Sequence, residues 1–504
     1  NPLDENFEKL VYEALEHWHV PGLSVSVVHG EETFAKGYGT AVFPSSPATA
    51  DTLYYVGSTT KSFIAASILL LTEDLANTSS PLTLQTPVTS LIRSIFVLPS
   101  TYATTHATLE DLLSHRTGMP RHDMSYGGAQ QPDLPSLISN LRNLPMTLPL
   151  RTGFQYCNMM YSVLHHIIET LSSLPLPTFL QSRIWTPLNM TSTYLSIAAA
   201  QHSANATLSR GYYYNRTTST YKPVPYFDSP VNAGAGGIIS TVNDFATYLR
   251  AMLIQHPFLS PASHAQLRTP RSIQFPTDYA PWDSPALYTL GWAQRAYRGV
   301  EVFQHTGSVT GYGALMAYAP SKQWGVSVLA NTDVTSNFAA DVVFWHLLDE
   351  LVGTPEGERV DWVGRRDGEV ERKREEREGA RGVVYPGAPG RGEEGWRGMA
   401  VDIKGYAGTF RNPGYGDVTW EVVEGWFLHA RLTDRTWPGE MCLEHVSGEY
   451  FLGWSYPTEE TPTSLFDGDL PARVVFTIGV GGEVEGFVAG LEPEMGEEGL
   501  WFGR

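Results

Sequence analysis

The sequence predicts an α+β chain in two units, a large one that mixes helices with strands and a small all-β one behind it. Three observations predict this. Helical and strand patterns alternate through roughly the first 350 residues, a charged segment then interrupts them, and short β runs alone fill the end.

The elements follow in order. From Glu5 to Trp18 the apolar residues Phe7, Leu10, Val11, Ala14, Leu15 and Trp18 recur at three- and four-residue spacings, the pattern of an amphipathic helix that Pro21-Gly22 ends. Leu23 to Val28 and Thr33 to Tyr38 flank the turn His29-Gly30-Glu31-Glu32 and read as a hairpin at a sheet edge. Tyr54 to Val56 is a strand-like approach, and the apolar run Phe63 to Leu71 continues it as a helix. From Gly353 the chain turns to Gly, Pro, Arg and Glu, with the octet Glu371 to Glu378 wholly charged. Such a stretch buries too little apolar surface to offset its ordering entropy unless it forms a solvated helix laced by i,i+4 pairs. Residues 353–400 are therefore expected to be a linker, partly helical at most, between units 1–352 and 401–504. Beyond it, Val418 to Val423, Trp426 to Leu432, Tyr450 to Tyr456, Val474 to Ile478 and Val484 to Val488 are β runs bounded by turn residues. They predict a small antiparallel barrel or sandwich.

Composition excludes several function classes. Of 504 residues, 42% are hydrophobic and 17% charged, as in ordinary globular chains. Lys plus Arg number 34 and Asp plus Glu 53, a net charge of −19 that repels phosphate backbones and anionic membranes, so nucleic acid is not an expected partner. The longest apolar run holds about nine residues, where a membrane span needs roughly twenty. Cys157 and Cys442 are too few for a disulfide framework or a thiolate metal site and are expected to be buried free thiols. The opening Asn1-Pro2-Leu3-Asp4 has no targeting pattern, and sequons at Asn77, Asn189, Asn205 and Asn215 leave the compartment open.

The chemistry is concentrated around Ser58. A strand-like approach enters a helix there, so Ser58 and Lys61 fall on one helical face and an amine lies beside a hydroxyl. A serine is a weak nucleophile until a base takes its proton, and lysine is that base only when its surroundings lower its pKa. Alone, the pair is matched by many capping serines beside solvated lysines. Two further motifs follow it: Tyr156-Cys157-Asn158 and His305-Thr306-Gly307-Ser308, 98 and then 149 residues downstream.

Together these residues resemble the serine β-lactamase and penicillin-binding-protein superfamily, in its class C β-lactamase, DD-peptidase and esterase branch. Supporting phrases are Val20 to Val25, Thr108 to Gly118, Pro187 to Met190 and Ala235 to Thr241, and the likeness runs over roughly residues 5 to 350. The resemblance implies a β-lactamase-like fold, an antiparallel sheet flanked by helices plus a helical subdomain. It implies Ser58 as the acylated nucleophile, Lys61 as its proton acceptor and Tyr156 as a partner in proton transfer. Asn158 would hold Lys61 and the substrate, and His305, Thr306, Gly307 and Ser308 would line the site. The N–H groups of Ser58 and Ser308 would form the oxyanion hole. One departure concerns charge: the β-lactamases of this branch carry lysine where His305 stands, and a largely neutral histidine holds substrate carboxylates less well. The expected activity is therefore hydrolysis of esters, lactones or amides. Acyl transfer, D-aminopeptidase activity and a catalytically silent binding protein are the alternatives.

Tyr406 to Phe410 and Asn412 to Gly416 resemble the lipocalin-like barrel appended to such hydrolases, with Trp420, Trp426, Trp437 and Trp454 expected in its core. His115, His122 and Asp123, like His165 and His166, lack metal-ligand spacing and are expected to be structural or surface groups. No cofactor and no metal are expected, and the partner is a small-molecule acyl substrate. With His305 in place of lysine, the net acidity favours neutral or cationic substrates.

Overall fold

The computed structural model describes residues 1–126, 131–203, 206–216, 218–226, 228–276, 281–457 and 471–504; the Asn205 sequon lies outside them. The first unit is built on a nine-stranded sheet whose order, edge to edge, is Ser46–Pro47, Glu32–Val42, Gly22–His29, Trp324–Ala330, Tyr312–Ala319, Val300–Val309, Ala293–Tyr297, Ala286–Tyr288 and Ser272–Phe275. Every pairing between these neighbours is antiparallel. The first predicted hairpin is thus present, with its first strand drawn into the sheet between Glu32–Val42 and Trp324–Ala330.

The central strands are buried on both faces, so their alternation sorts apolar residues between two cores rather than between core and water. Val25, Val27, Leu315, Ala317, Val326 and Val328 share one core with Phe7, Val11 and Leu15 of the helix Glu5–His17 and with Phe338 and Trp345 of Thr335–Val352. Ala314, Met316, Tyr318 and Leu329 face the opposite core, which holds the helices Thr60–Asp74 and Val242–Ile254. A helical subdomain, including Leu109–Leu113, Leu134–Asn140 and Asn158–Ser172, continues that second core.

The C-terminal unit is a closed antiparallel barrel of eight strands, which decides between the barrel and sandwich expectations. A barrel of this size is filled by its own side chains, here Phe410, Trp420, Phe451, Phe476, Phe487 and Phe502. The five predicted β runs are all strands. Gly408–Asn412, Gly439–Ser447 and Leu500–Gly503 complete the circle. Trp420 is buried as expected, but Trp426 is exposed beside the Glu424-Gly425 turn and Trp437 lies against Tyr126 of the helical subdomain. Cys157 is buried, whereas Cys442 is only half-buried; both are free.

The charged segment is helical over Trp362–Glu378 and Ala380–Val384. Its solvent face carries the i,i+4 pairs Arg372–Glu376 and Arg374–Glu378. Single aromatic residues tie it down: Trp362 stacks on Trp345 at 4.5 Å, and the Tyr385 hydroxyl donates to the Phe451 carbonyl of the barrel at 2.7 Å. No helix among the described residues is long and apolar enough to cross a membrane.

Candidate active site

Ser58 lies in the tight turn Gly57–Thr59 that opens the helix Thr60–Asp74. The strand Val300–Val309 presses directly on this turn. Ala293–Tyr297 pairs with it only as far as Gln304, and Tyr312–Ala319 pairs with the other edge through Val309, so the edge from His305 onward is left for the serine turn. A Cβ on Gly307 would lie 2.0 Å from the Val56 carbonyl oxygen, a contact no side chain can make. That is the physical reason for glycine in His-Thr-Gly-Ser: the strand and the segment leading into the Ser58 turn touch backbone to backbone.

Lys61 is fully buried in the first turn of the helix. Its Nζ lies 3.1 Å from Ser58 Oγ, 2.8 Å from Asn158 Oδ1 and 2.8 Å from the Ala235 carbonyl oxygen. Burial, then the charge of Arg121, hold its pKa well below the ordinary 10.5. A neutral amine has two N–H groups and one lone pair. The protonated amine donates to all three oxygens; in the neutral form the two carbonyl-type acceptors take the N–H groups and the lone pair is left for the Ser58 hydroxyl.

Tyr156 and Asn158 come from the segment leading into the helix Asn158–Ser172. The Tyr156 hydroxyl hydrogen-bonds Ser58, and its ring centroid lies 4.8 Å from Lys61 Nζ. Burial raises its pKa despite the opposing effects of Ser58 and Arg121, so Tyr156 is a phenol at neutral pH. His305 is buried beside the site. Its Nδ1 is 2.6 Å from the Thr306 carbonyl oxygen, which only accepts, so Nδ1 carries the proton and Nε2 accepts from the Tyr288 hydroxyl at 3.0 Å. Burial and then Lys61 push its pKa down to about 3, so the ring is neutral. Thr306 and Ser308 are exposed on the same strand and line the cleft with Gly307.

Six of the eight residues singled out from the sequence, Ser58, Tyr156, His305, Thr306, Gly307 and Ser308, line one cleft of about 860 Å³, and Lys61 and Asn158 are buried behind Ser58. Others there have no local sequence signal. Arg121 lies 5.2 Å from the Tyr156 ring centroid and pairs with Asp123 at 2.6 Å, and Asp123 Oδ1 accepts from Asn158 Nδ2 at 3.4 Å. His115, expected to be structural, is wholly buried with its ring 4.3 Å from that of Tyr156, and its Nδ1 accepts the Cys157 N–H at 3.1 Å. The cleft also carries Arg295, Arg365 and Arg366 against Asp341 and Glu494, the last from the barrel unit. Its local charge thus runs opposite to the net acidity of the chain. No metal-ligand cluster occurs among the described residues.

A protein-family profile described as Beta-lactamase matches residues 7–349, and one described as a domain of unknown function matches residues 400–504. An unguisins hydrolase of Aspergillus campestris is 36% identical over 507 residues, covering 99% of this chain and 92% of that protein. An octameric penicillin-binding protein homologue from Pyrococcus abyssi shares the fold over 99% of both chains, with a TM-score of 0.62 at 19% identity. A class C β-lactamase from Rhodobacter sphaeroides matches with a TM-score of 0.55 at 23% identity, covering 68% of this chain and 100% of its own. With its family match spanning the whole sheet-and-helix unit and a full-length hydrolase relative, the chain belongs to the β-lactamase family and is a serine hydrolase.

Proposed function

We propose that the protein cleaves an amide or ester bond of a peptide-sized substrate through an acyl-enzyme on Ser58. The observation that carries this reading is the set of contacts at Lys61, two carbonyl-type acceptors and one serine hydroxyl around a buried amine of lowered pKa.

Lys61 takes the Ser58 proton as Oγ attacks the substrate carbonyl carbon. The resulting oxyanion accepts from the N–H groups of Ser58 and Ser308, which the contact between Gly57 and Gly307 brings side by side. Collapse breaks the bond to the leaving amine or alcohol, which receives the proton from Lys61 with Tyr156 as relay. Water then adds to the acyl carbon and gives its proton to the same pair, releasing the acid and restoring Ser58. His305, neutral and bonded on both ring nitrogens, shapes the wall and supplies no charge. The cleft volume suits a substrate larger than a simple acyl ester, and the relative named for unguisins hydrolysis makes such compounds the first to assay.

Incubation with a fluorophosphonate tests the core of this reading. One equivalent of label is expected on the wild type at Ser58, located by peptide mass, and none on Ser58→Ala. Labelling that survives the substitution sinks it.

A further inference from the structure

We propose that the C-terminal barrel is a working part of the active site, with Tyr415 as a positioning residue that holds the turn Arg121-His122-Asp123 against Asn158 and Lys61. The inference rests on Ser58 and Lys61 acting as just described.

His122 is the centre of the turn. It is fully buried, and its backbone is left-handed, with φ 48° and ψ 34°, a conformation a histidine keeps only when its surroundings impose it. Three groups do so. His122 Nε2 lies 2.8 Å from the Pro145 carbonyl oxygen and must donate to it, which leaves Nδ1 to accept from the Tyr415 hydroxyl at 2.6 Å. The His122 N–H donates to Glu492 Oε2 at 2.5 Å. Two of the three groups belong to the barrel unit. Tyr415 sits on the turn between the strands Gly408–Asn412 and Gly416–Val423, and that turn is seated closely: a Cβ on Gly414 would lie 2.8 Å from the Asn143 carbonyl oxygen. Nearby, the Thr436 N–H donates to the Tyr126 carbonyl at 2.8 Å, fixing the other side of the same loop.

The residues flanking His122 reach the chemistry. From Arg121 the contacts run to Asp123 at 2.6 Å, from Asp123 to Asn158 at 3.4 Å, from Asn158 to Lys61 at 2.8 Å and from Lys61 to Ser58 at 3.1 Å. A shift of the turn therefore changes both the orientation of Asn158 and the balance of charge around Lys61. The barrel supplies no reacting atom; it fixes the groups that aim one.

Steady-state kinetics on an ester substrate, with Tyr415→Phe, Glu492→Gln and Asn140→Ala in the full chain, test this. Tyr415→Phe removes only the donor to His122 and is expected to lower kcat by about 2–30-fold, with a shifted acidic limb of kcat/KM. Glu492→Gln keeps an acceptor for the His122 N–H and is expected to stay near wild type. Asn140→Ala removes a bond to the carbonyl of Gly414, the neighbour of Tyr415 in the same turn, and is expected to shift the limb in the same direction as Tyr415→Phe but by less. Wild-type kcat and limb in Tyr415→Phe overturn the proposal. Fluorophosphonate labelling that persists in Ser58→Ala removes the underlying reading instead, so the two failures are distinguishable.

Discussion

Replacing Lys61 by alanine is expected to slow acylation of Ser58 by about 10²–10⁴-fold, the range for loss of a positioned general base. Lys61→Arg separates base from charge. A guanidinium stays protonated and has no lone pair to offer, so the arginine variant is expected to be as slow as the alanine one although it keeps the positive charge. The pH profile carries a second test. Because the folded pKa of Lys61 lies below its ordinary 10.5, the amine is the free base above that lowered value and takes a proton as pH falls through it. The proton occupies the lone pair, so kcat/KM falls on the acidic side. The same shift makes the unfolded chain hold more protons between the two values, so Lys61 costs stability there and the cost fades as pH rises toward 10.5. Burial sets most of the lowering and the Arg121 charge adds to it, so Arg121→Gln is expected to move the acidic limb to higher pH. Stopped-flow acylation and a kcat/KM profile give both answers. Wild-type acylation in Lys61→Arg, or an unmoved limb in Arg121→Gln, is the contrary result.

The parts of the site that the sequence discloses are those whose geometry is local or backbone-borne. Ser58 and Lys61 are one helical turn apart, so their meeting follows from helix periodicity alone. Gly307 marks a strand that must touch another backbone, and Tyr156 with Asn158 stands at a helix entrance. Arg121, His122 and Asp123 have no such periodicity. They belong to an irregular loop, and the bonds that fix His122 join residues 293 and 370 positions apart, to Tyr415 and Glu492. Read in isolation, His122 and Asp123 are structural or surface groups without metal-ligand spacing, and Arg121 carries no signal. The fold divides the same way. Alternating apolar runs disclosed five barrel strands, but Gly408–Asn412 and Gly439–Ser447 each open on a glycine, carry several polar residues and pair with a neighbour on both sides. In the charged segment, composition described its solvent face and hid Trp362, whose stacking on Trp345 is what seats the helix.

Asp111→Ala is expected to cost about 3–5 kcal/mol of stability, the range for removing one partner of a buried ion pair. The Asp111 carboxylate has no exposed surface. It accepts from Arg151 Nε at 2.9 Å and Nη2 at 2.7 Å, from Arg116 Nη2 at 2.9 Å, and from the Thr108 N–H and hydroxyl at 3.0 and 2.8 Å. Thr108 and Asp111 also form the capping box of the helix Leu109–Leu113, so the substitution removes a helix cap together with a double ion pair. Burial alone raises this carboxyl's pKa, but the bonds from Arg151 and Thr108 and the charge of Arg116 outweigh it, and the net shift is downward from 3.8. A depressed carboxyl contributes its stability in full above the ordinary value and loses it as pH falls through the lowered one. The gap between wild type and variant is therefore expected to be full at pH 7 and to close in acid. Asp111→Asn keeps acceptors for Thr108 but not the charge, and is expected to fall between the two. The loss extends to the site, because Asp111 ties the segment that carries His115 to Arg151, and the backbone bonds from Arg151 to Arg116 and from Gln155 to His115 lead on to Tyr156. Urea unfolding at pH 7 and in acid decides the matter. Equal stability of Asp111→Ala and wild type at pH 7, or a gap that does not narrow in acid, would show that the carboxylate is not what locks this loop.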